Sequence, residues 1–365
     1  MKRYIKKILG FGFIMMAILA SINCASKSKS EVLPAVGSGT TGSGTNSPSE
    51  IDTTFFKGAD ISWLPQMEAT GFKFYDENGK AADCLDILKD NGINAIRLRV
   101  FVHPSDDKIS GHCSTAETLA LAKRCLAKGF KIMIDFHYSD SWADPSHQNK
   151  PAVWQNDDLT TLLQDVYDYT YHVLDTLKSQ GVTPTWVQVG NEITGGMLWP
   201  TGSMDNWPAL SKLLNKGYAA TKAVDPSIKV IVHIDQGNNN SRSRWFYDSA
   251  KANSVNYDII GLSYYPFWLN QDYTESINDL NNNLNDMVSR YNKPVMVVEV
   301  GGADTAVQNT YDMLKGVIKT TAAVPGNRGL GVFYWEPEGA RSWSEYKLSC
   351  WQSDGKPTKA LSAFK

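Results

Sequence analysis

The sequence predicts a (β/α)8 barrel, also called a TIM barrel, as a single domain within the 365-residue chain. From residue 55 onward, short apolar runs alternate with longer amphipathic runs, and this alternation repeats eight times. Alternating strands and helices indicate a parallel sheet, and eight such units fit the size of a closed barrel. A doubly wound open sheet is the alternative. It would usually show a glycine-rich phosphate-binding turn after the first strand, where this chain has GADISWL.

Eight runs of β-forming residues predict the strands, at 55–61, 94–102, 131–138, 185–191, 229–235, 258–265, 294–300 and 331–337. Helical patterns lie between them, and the runs CLDILKDNG and STAETLALAKRCLAKG end in glycine, as helices commonly do. Further helices are predicted at 159–181, 207–224, 276–292 and 309–324, and the weakest helical pattern is SRSRWFYDSAKA at 241–252.

Residues 1–24 resemble a bacterial lipoprotein signal peptide rather than part of the fold. Four basic residues precede the apolar run LGFGFIMMAILA, which is shorter than a membrane-spanning helix requires. We expect Cys24 to be the lipidated residue, although Asn23 departs from the usual small residue before it; an ordinary secretory signal is the alternative. Residues 25–50 are rich in Ser, Gly, Thr and Pro and predict a flexible tether before a domain at 51–365. The expected location is the outer membrane or surface of a bacterial cell.

Composition excludes some partners. The formal net charge is −2 and no basic stripe favours nucleic acid, so the lipid anchor is the one membrane contact we expect. The 11 Trp and 16 Tyr either pack in the core or provide flat surfaces for sugar rings.

Four cysteines follow the signal segment: Cys84, Cys113, Cys125 and Cys350. They could form disulfides or remain buried thiols, and their spacing matches no metal motif. We expect a monomer without a metal.

Every predicted strand ends in polar or aromatic side chains. In a (β/α)8 barrel, chemistry is carried out at the carboxyl ends of the strands. Alternate strand residues share a face, so Arg97 and Arg99 point into the barrel, where each needs an acidic partner. We expect Arg97 to form interior ion pairs, Arg99 to contribute to the site, and Asp235 to partner an arginine or His233.

Two of these strand ends carry glutamates that suit catalysis. Glu192 follows the fourth strand in VGNEITGG, and Glu299 ends the seventh. Those strands lie on different sides of the barrel mouth, so the two carboxylates can face one bond. Retaining glycosidases place such a pair about 5–5.5 Å apart. A structural role in a turn is the alternative for each. Glu336 and Glu338 on the eighth strand are competitors that we interpret as structural or substrate-contacting.

The pattern Asn-Glu on the fourth strand and Glu on the seventh resembles the large clan of retaining (β/α)8 glycosidases. More specifically, residues 56–355 resemble glycoside hydrolase family 53. The blocks that carry this resemblance are GADISWLPQMEATGFKFYDENG, INAIRLRVFVHP, FHYSDSWADP, QVGNEI, GMLWP, GLSYYPFW and FYWEP. It implies endo-hydrolysis of β-1,4-galactan, the side chain of pectic type I arabinogalactan, with retention of configuration and no cofactor.

The resemblance also implies roles for residues. Glu192 would be the general acid and base, and Glu299 the nucleophile. Asn191, Arg99, His137, Tyr265 and Trp335 would line the subsite of the galactose to be cleaved. Neighbouring subsites would use Asp60, Trp63, Asp140, Trp142, Trp199 and Trp268, with structural packing the alternative for each tryptophan.

The chain departs from the family pattern after Glu299, where it reads VGGADTAVQNT. Relatives often have an aromatic residue and a proline there, so we expect a more open site beside the nucleophile and different product lengths. The oxygen ligands of a calcium loop that some bacterial members carry are missing, so no calcium is expected at this position.

Two other functions stay open at this point. Another enzyme of the clan could cut mannan, xylan or β-glucan with the same catalytic residues. A lipid-anchored protein that binds glycans without cleaving them is the alternative from outside enzymes, and the two carboxylates together with Asn191 disfavour it.

Overall fold

The computed structural model describes residues 55–365, which form a closed barrel of eight parallel strands. The predicted signal peptide, the predicted lipidation at Cys24 and the predicted tether lie outside the described residues. The strands are β1 Phe56–Asp60, β2 Ala95–Val100, β3 Lys131–Phe136, β4 Trp186–Val189, β5 Lys229–Ile234, β6 Ile259–Tyr264, β7 Val295–Val300 and β8 Gly329–Trp335. Each strand pairs with its neighbour in sequence, and β1 pairs with β8 to close the sheet. The predicted barrel is confirmed.

Helices follow the strands around the outside. They are α1 Leu64–Ala69, α2 Cys84–Asp90, α3 Thr115–Ala127, α4 Leu159–Ser179, α5 Trp207–Val224, α6 Asn240–Ala252, α7 Tyr273–Tyr291, α8 Val307–Ala322 and α9 Arg341–Ser344. Local chemistry sets their starts: Ser114 and Glu117 form a capping box at α3, and Asp158 caps α4. The weakest prediction, α6, is confirmed. None of the helices in 55–365 has the length and apolar character that crossing a membrane requires.

Strand alternation divides the core in two. Outward residues such as Ile96 and Leu98 pack under the helices in one large cluster. Inward residues at the amino-terminal end of the barrel form a second apolar cluster of Phe56, Ala95, Met133, Trp186, Ile231, Ile259, Met296, Val298 and Phe333. A side chain at Gly58 would overlap the Phe333 ring, so glycine is needed for this filling. The charged inward residues therefore lie above an apolar plug, toward the carboxyl ends of the strands.

The four described cysteines are buried free thiols. Burial raises the pKa of Cys113, Cys125 and Cys350 to about 12, so these thiols stay protonated and behave as small apolar groups.

Candidate active site

An open cleft of about 630 Å³ lies at the carboxyl ends of the strands. Both predicted catalytic glutamates, Glu192 and Glu299, line it. Six predicted substrate residues and two further hydroxyl-bearing side chains also line it: Asn191, His137, Tyr265, Trp335, Trp142 and Trp268, with Tyr346 and Ser263. The strand ends thus bring together residues that are far apart in sequence, as the barrel topology predicts.

Arg97 forms the charged floor of this cleft. Its guanidinium is fully buried and contacts Asp60 at 2.9 Å, Asp135 at 2.8 Å and Glu299 at 2.8 Å. Burial opposes the charge on Arg97, but the carboxylates outweigh it and raise the arginine pKa above its ordinary value. The predicted acidic partners are confirmed. Arg97 also reaches a cleft carboxylate, which the sequence analysis did not anticipate.

Glu299, at the end of β7, has a cation on one carboxylate oxygen and a hydroxyl donor on the other. Arg97 contacts one carboxylate oxygen at 2.8 Å, and the Tyr265 hydroxyl donates to the other at 3.1 Å. Burial raises the pKa of Glu299 to about 7, with Arg97 opposing the shift. A carboxylate with a cation and a donor on its two oxygens is suited to remain ionised and to attack.

Glu192 has a different environment. It follows β4 in a left-handed backbone conformation with φ 46° and ψ 49°. The Ser263 hydroxyl donates to its Oε1 at 2.6 Å, and within 55–365 no lysine or arginine forms an ion pair with it. Burial raises the pKa of Glu192 well above its ordinary value, and the charge of Glu299 raises it further. Glu192 is therefore the carboxyl group that stays protonated longer as pH rises.

Contacts beneath the cleft fix the side chains of Asn191 and His137. The side-chain oxygen of Asn191 accepts from Arg97 at 2.8 Å, and its side-chain nitrogen donates to the Ala143 carbonyl at 2.7 Å. His137 lies 2.9 Å from Asp135 through Nε2, while its Nδ1 accepts the Ala143 N–H. Both side chains line the cleft in single orientations.

Aromatic rings form one wall of the cleft. The Trp142 and Trp335 rings lie 5.4 Å apart, and Tyr346 packs on Trp335 at 4.8 Å. Trp268 stands apart from this wall and is 57% exposed. An exposed indole at the mouth of a polar cleft is suited to stack on the apolar face of a sugar.

Arg99 does not line the cleft, contrary to our expectation. It is 1% exposed and forms an ion pair with Glu336, and its guanidinium lies 4.5 Å from the centre of the Trp142 ring. The indole covers it from the cleft side. Arg99 therefore supports the aromatic wall, while Arg97 is the arginine that contacts Glu299.

Four other expected substrate residues also lie outside the cleft lining. Asp60 is fully buried against Arg97, and Trp63 is buried with its indole N–H donating to the Ile109 carbonyl at 2.9 Å. Asp140 accepts from two loop backbone N–H groups. The Trp199 indole donates to the Gly195 carbonyl at 2.9 Å. Each polar group is already engaged with protein, so these side chains support the cleft.

Of the competing carboxylates, Glu336 and Asp235 have structural partners, while both carboxylate oxygens of Glu338 are buried without a hydrogen bond to any residue of 55–365. Glu336 and Glu338 are fully buried below the cleft, where Glu336 binds Arg99 and accepts from the Trp63 backbone. Asp235 pairs with Arg242 at 3.0 Å, which confirms that it partners an arginine.

Sequence reasoning missed Ser263 and Tyr346. Ser263 is two residues before Tyr265 on β6, so strand alternation was a usable signal for its inward direction. Tyr346 comes from the loop after α9 and carries no such signal. Its hydroxyl is buried and makes no hydrogen bond within the described part of the chain.

The expected opening beside Glu299 is absent. A side chain at Gly301 would lie 3.0 Å from both the Tyr265 ring and the Tyr346 hydroxyl. The glycine therefore leaves room for two tyrosines that supply an aromatic wall from elsewhere in the sequence. In the same loop Asp304 pairs with Arg341, and residues 55–365 contain no group of three His, Cys, Asp or Glu side chains placed to hold a metal.

Comparison with known proteins identifies relatives over most of this barrel. Residues 56–364 match the model of "Glycosyl hydrolase family 53". A protein of Aspergillus terreus named "Probable arabinogalactan endo-beta-1,4-galactanase A" is 38% identical, with 77% of this chain and 85% of that protein covered. The arabinogalactan endo-beta-1,4-galactanase of Thermothelomyces thermophilus is 33% identical, covering 77% and 89%. The solved GH53 catalytic domain of Ignisphaera aggregans is 31% identical with a TM-score of 0.78, covering 87% and 97%.

Proposed function

The chain belongs to glycosyl hydrolase family 53, and we propose that it hydrolyses internal β-1,4-galactosidic bonds of galactan and type I arabinogalactan with retention of configuration. The observation that carries this proposal is the pair of glutamates in one cleft with opposed environments. Glu299 contacts a cation and a hydroxyl donor, whereas Glu192 contacts a hydroxyl donor and, among residues 55–365, no cation. Pairs of carboxyl groups whose pKa values are pushed apart identify the acid and the base of a hydrolase.

In the first step, a Glu299 oxygen bonds to the anomeric carbon while the bond from that carbon to the glycosidic oxygen breaks. Glu192 transfers its proton to the departing oxygen. In the second step, Glu192 removes a proton from water, and the water oxygen displaces Glu299 from the anomeric carbon. Two inversions give net retention, and Glu192 regains its proton.

Arg97 and Tyr265 prepare Glu299 for this role. Both contact the nucleophile directly, and they stabilise its negative charge when it leaves the sugar in the second step. They are held in place by the buried network that Asp60 and Asp135 complete, so the nucleophile is positioned before substrate arrives.

The cleft walls suit a sugar chain. We propose that Trp335 and His137 contact the galactose being cleaved, that Asn191 donates to its 2-hydroxyl, and that Trp142 and Trp268 serve neighbouring subsites. Tyr346 is added to the first group because its side chain lines the cleft and packs on Trp335. The cleft is open, so an internal segment of a polymer can lie across it.

Several expectations about the whole chain stay proposals. We propose that Cys24 carries a lipid, that the protein is an exported lipoprotein of the outer membrane or cell surface, that it works as a monomer, and that it needs no calcium after Glu299. Product length is expected to differ among relatives.

The test is polysaccharide hydrolysis by the purified full-length chain. Incubation with β-1,4-galactan, mannan, xylan and β-glucan, followed by assay of new reducing ends, should give products from galactan alone. Cleavage of mannan, xylan or β-glucan instead would favour another enzyme of the clan. Binding without cleavage of any of them would favour a glycan-binding protein.

Matched variants assign the residues. Glu192→Gln and Glu299→Gln should each abolish most of the activity, and Glu77→Gln, a change at an exposed glutamate, should not. Loss of activity in Glu336→Gln alone would overturn the assignment.

A further inference from the structure

We propose that His233 and Ser263 are positioning residues that fix on which oxygen Glu192 carries its proton. They hold Oε1 as a hydrogen-bond acceptor in both halves of the reaction, which leaves Oε2 to give and take the proton. This inference rests on the proposed acid and base role of Glu192.

A closed ring of hydrogen bonds links the three residues. The backbone N–H of Glu192 donates to His233 Nδ1 at 3.3 Å. His233 Nε2 lies 2.7 Å from the Ser263 hydroxyl oxygen. That hydroxyl lies 2.6 Å from Glu192 Oε1. One imidazole therefore contacts Glu192 directly at its backbone and, through a serine, at its carboxyl group.

The direction of this ring follows from the donors around His233. Two N–H donors meet Nδ1, from the Glu192 backbone and from the Gln188 amide at 3.0 Å. The Asn191 side-chain oxygen is also 3.0 Å from Nδ1 and already accepts from Arg97. A hydrogen on Nδ1 would face the Glu192 N–H, which would then lose its acceptor. Nδ1 is therefore the unprotonated nitrogen, and Nε2 carries the hydrogen.

His233 is neutral in this arrangement. Burial lowers its pKa well below the ordinary value, and Arg97 lowers it further. The other ionisable groups facing it are Asp135, which opposes this shift, and His137, which adds to it. A neutral imidazole with its hydrogen on Nε2 can donate to Ser263 in one direction only.

The direction of the His233 hydrogen bond fixes the direction of the Ser263 hydroxyl. Because Ser263 accepts from His233 Nε2, its own hydrogen points to Glu192 Oε1. Oε1 is thus an acceptor whether or not Glu192 is protonated, and the proton must be on Oε2. No hydrogen bond in the ring has to reverse when Glu192 changes from acid to base, so proton transfer needs little reorganisation.

The same ring stabilises an unfavourable backbone. Glu192 is one of twelve non-glycine residues in 55–365 with positive φ, at 46°, a conformation that costs free energy unless its surroundings hold it. In this conformation the backbone N–H of Glu192 points toward β5 and donates to His233. His233 therefore helps to fix both the position and the proton of Glu192.

The test is the pH profile of kcat/KM on galactan for Ser263→Ala in the full-length chain. Ser263 stabilises the Glu192 carboxylate, so its loss raises the pKa of Glu192 and moves the alkaline limb to higher pH. The other groups that face Glu192 are Glu299, Asp235 and Asp144, and the substitution leaves all three in place. At the optimum we expect a fall of about tenfold to a hundredfold, part of the roughly 10²–10⁴-fold supplied by a positioned acid or base. Ser263→Thr keeps the hydroxyl and should restore the wild-type limb.

A second substrate separates positioning from damage. A 2,4-dinitrophenyl β-galactobioside has a leaving group that departs without protonation, so kcat/KM of Ser263→Ala on it should be near wild type. Ser179→Ala, at an exposed helix end, is the matched control for both substrates.

Two results would overturn the inference: an equal loss on both substrates, or an alkaline limb that stays in place in Ser263→Ala. If Glu192→Gln itself lost activity equally on galactan and on the dinitrophenyl substrate, the acid role of Glu192 would fail instead.

Discussion

Two pairs of carboxyl groups in this barrel have raised pKa values, and they lie in different surroundings. Glu192 and Glu299 border the cleft, and each has its own set of partners. Glu336 and Glu338 are fully buried beneath the aromatic wall. Burial raises the pKa of Glu336 to about 7, and burial together with the charge of Glu336 raises that of Glu338 well above its ordinary value. A shifted pKa is therefore common to both pairs, and access to the cleft with opposed partners distinguishes the pair that we propose to be catalytic.

The largest expected effect separates the pairs by activity. Glu299→Gln should lower kcat on galactan by about 10⁴-fold, a loss of the size seen when one member of a catalytic set is removed. Glu338→Gln should remain within about tenfold of wild type because no substrate reaches it. Initial rates of reducing-end release check both, and a severe loss in Glu338→Gln with a folded protein would remove the distinction.

A second prediction concerns Arg97, the buried cation that contacts Glu299. Arg97→Met leaves Asp60, Asp135 and Glu299 without their shared partner, so we expect the free energy of unfolding to fall by about 3–5 kcal/mol. Urea denaturation followed by circular dichroism measures it. Arg290→Met, which removes an exposed ion pair with Asp248, is the control and should cost less than about 1 kcal/mol. Equal losses would show that the buried network is not special.

A third prediction uses pH to examine Glu336 and Glu338, the pair buried beneath the aromatic wall. Carboxyl groups with raised folded pKa values bind more protons in the folded state, so their contribution to stability is lost as pH rises from about 4.5 toward 7 and above. Glu338→Gln removes one of these groups. The variant should therefore become more stable relative to wild type at pH 8 than it is at pH 5. A difference between variant and wild type that does not change with pH would contradict the account.

The smallest expected effect concerns the cleft wall. Tyr346→Phe removes a hydroxyl that has no partner within 55–365, so stability should not fall. If that hydroxyl binds substrate, kcat/KM on galactan should fall about fivefold, equal to about 1 kcal/mol for one hydrogen bond. Tyr171→Phe, on the exposed face of α4, is the control. Unchanged kinetics in Tyr346→Phe would remove Tyr346 from the subsite.

The barrel was predictable because each strand and helix carries its own pattern in the sequence. Asn191, Glu192 and Glu299 were predictable for the same reason, since counting strands places them at the mouth. How closely each inward side chain approaches the cleft was not predictable. Arg97 precedes Arg99 on β2, yet it extends to Glu299 while Trp142 covers Arg99.

Contacts between distant loops were also beyond the sequence. Tyr346 fills space beside Gly301, and no periodicity in either segment indicates that they meet. Trp63 and Trp199 look like sugar-binding residues in sequence, but their indole N–H groups donate to backbone carbonyls. Which aromatic residue faces the cleft depends on packing among loops, and local patterns do not record it.

The central claim is that Glu299 is the nucleophile and forms a covalent intermediate. A 2-deoxy-2-fluoro-β-galactobiosyl fluoride slows the second step and should trap the sugar on the full-length protein. Mass spectrometry of the digested protein should find the adduct on the peptide that contains Glu299, and Glu299→Gln should carry none. An adduct on the peptide containing Glu336 and Glu338, or turnover of galactan with inverted configuration, would contradict the account.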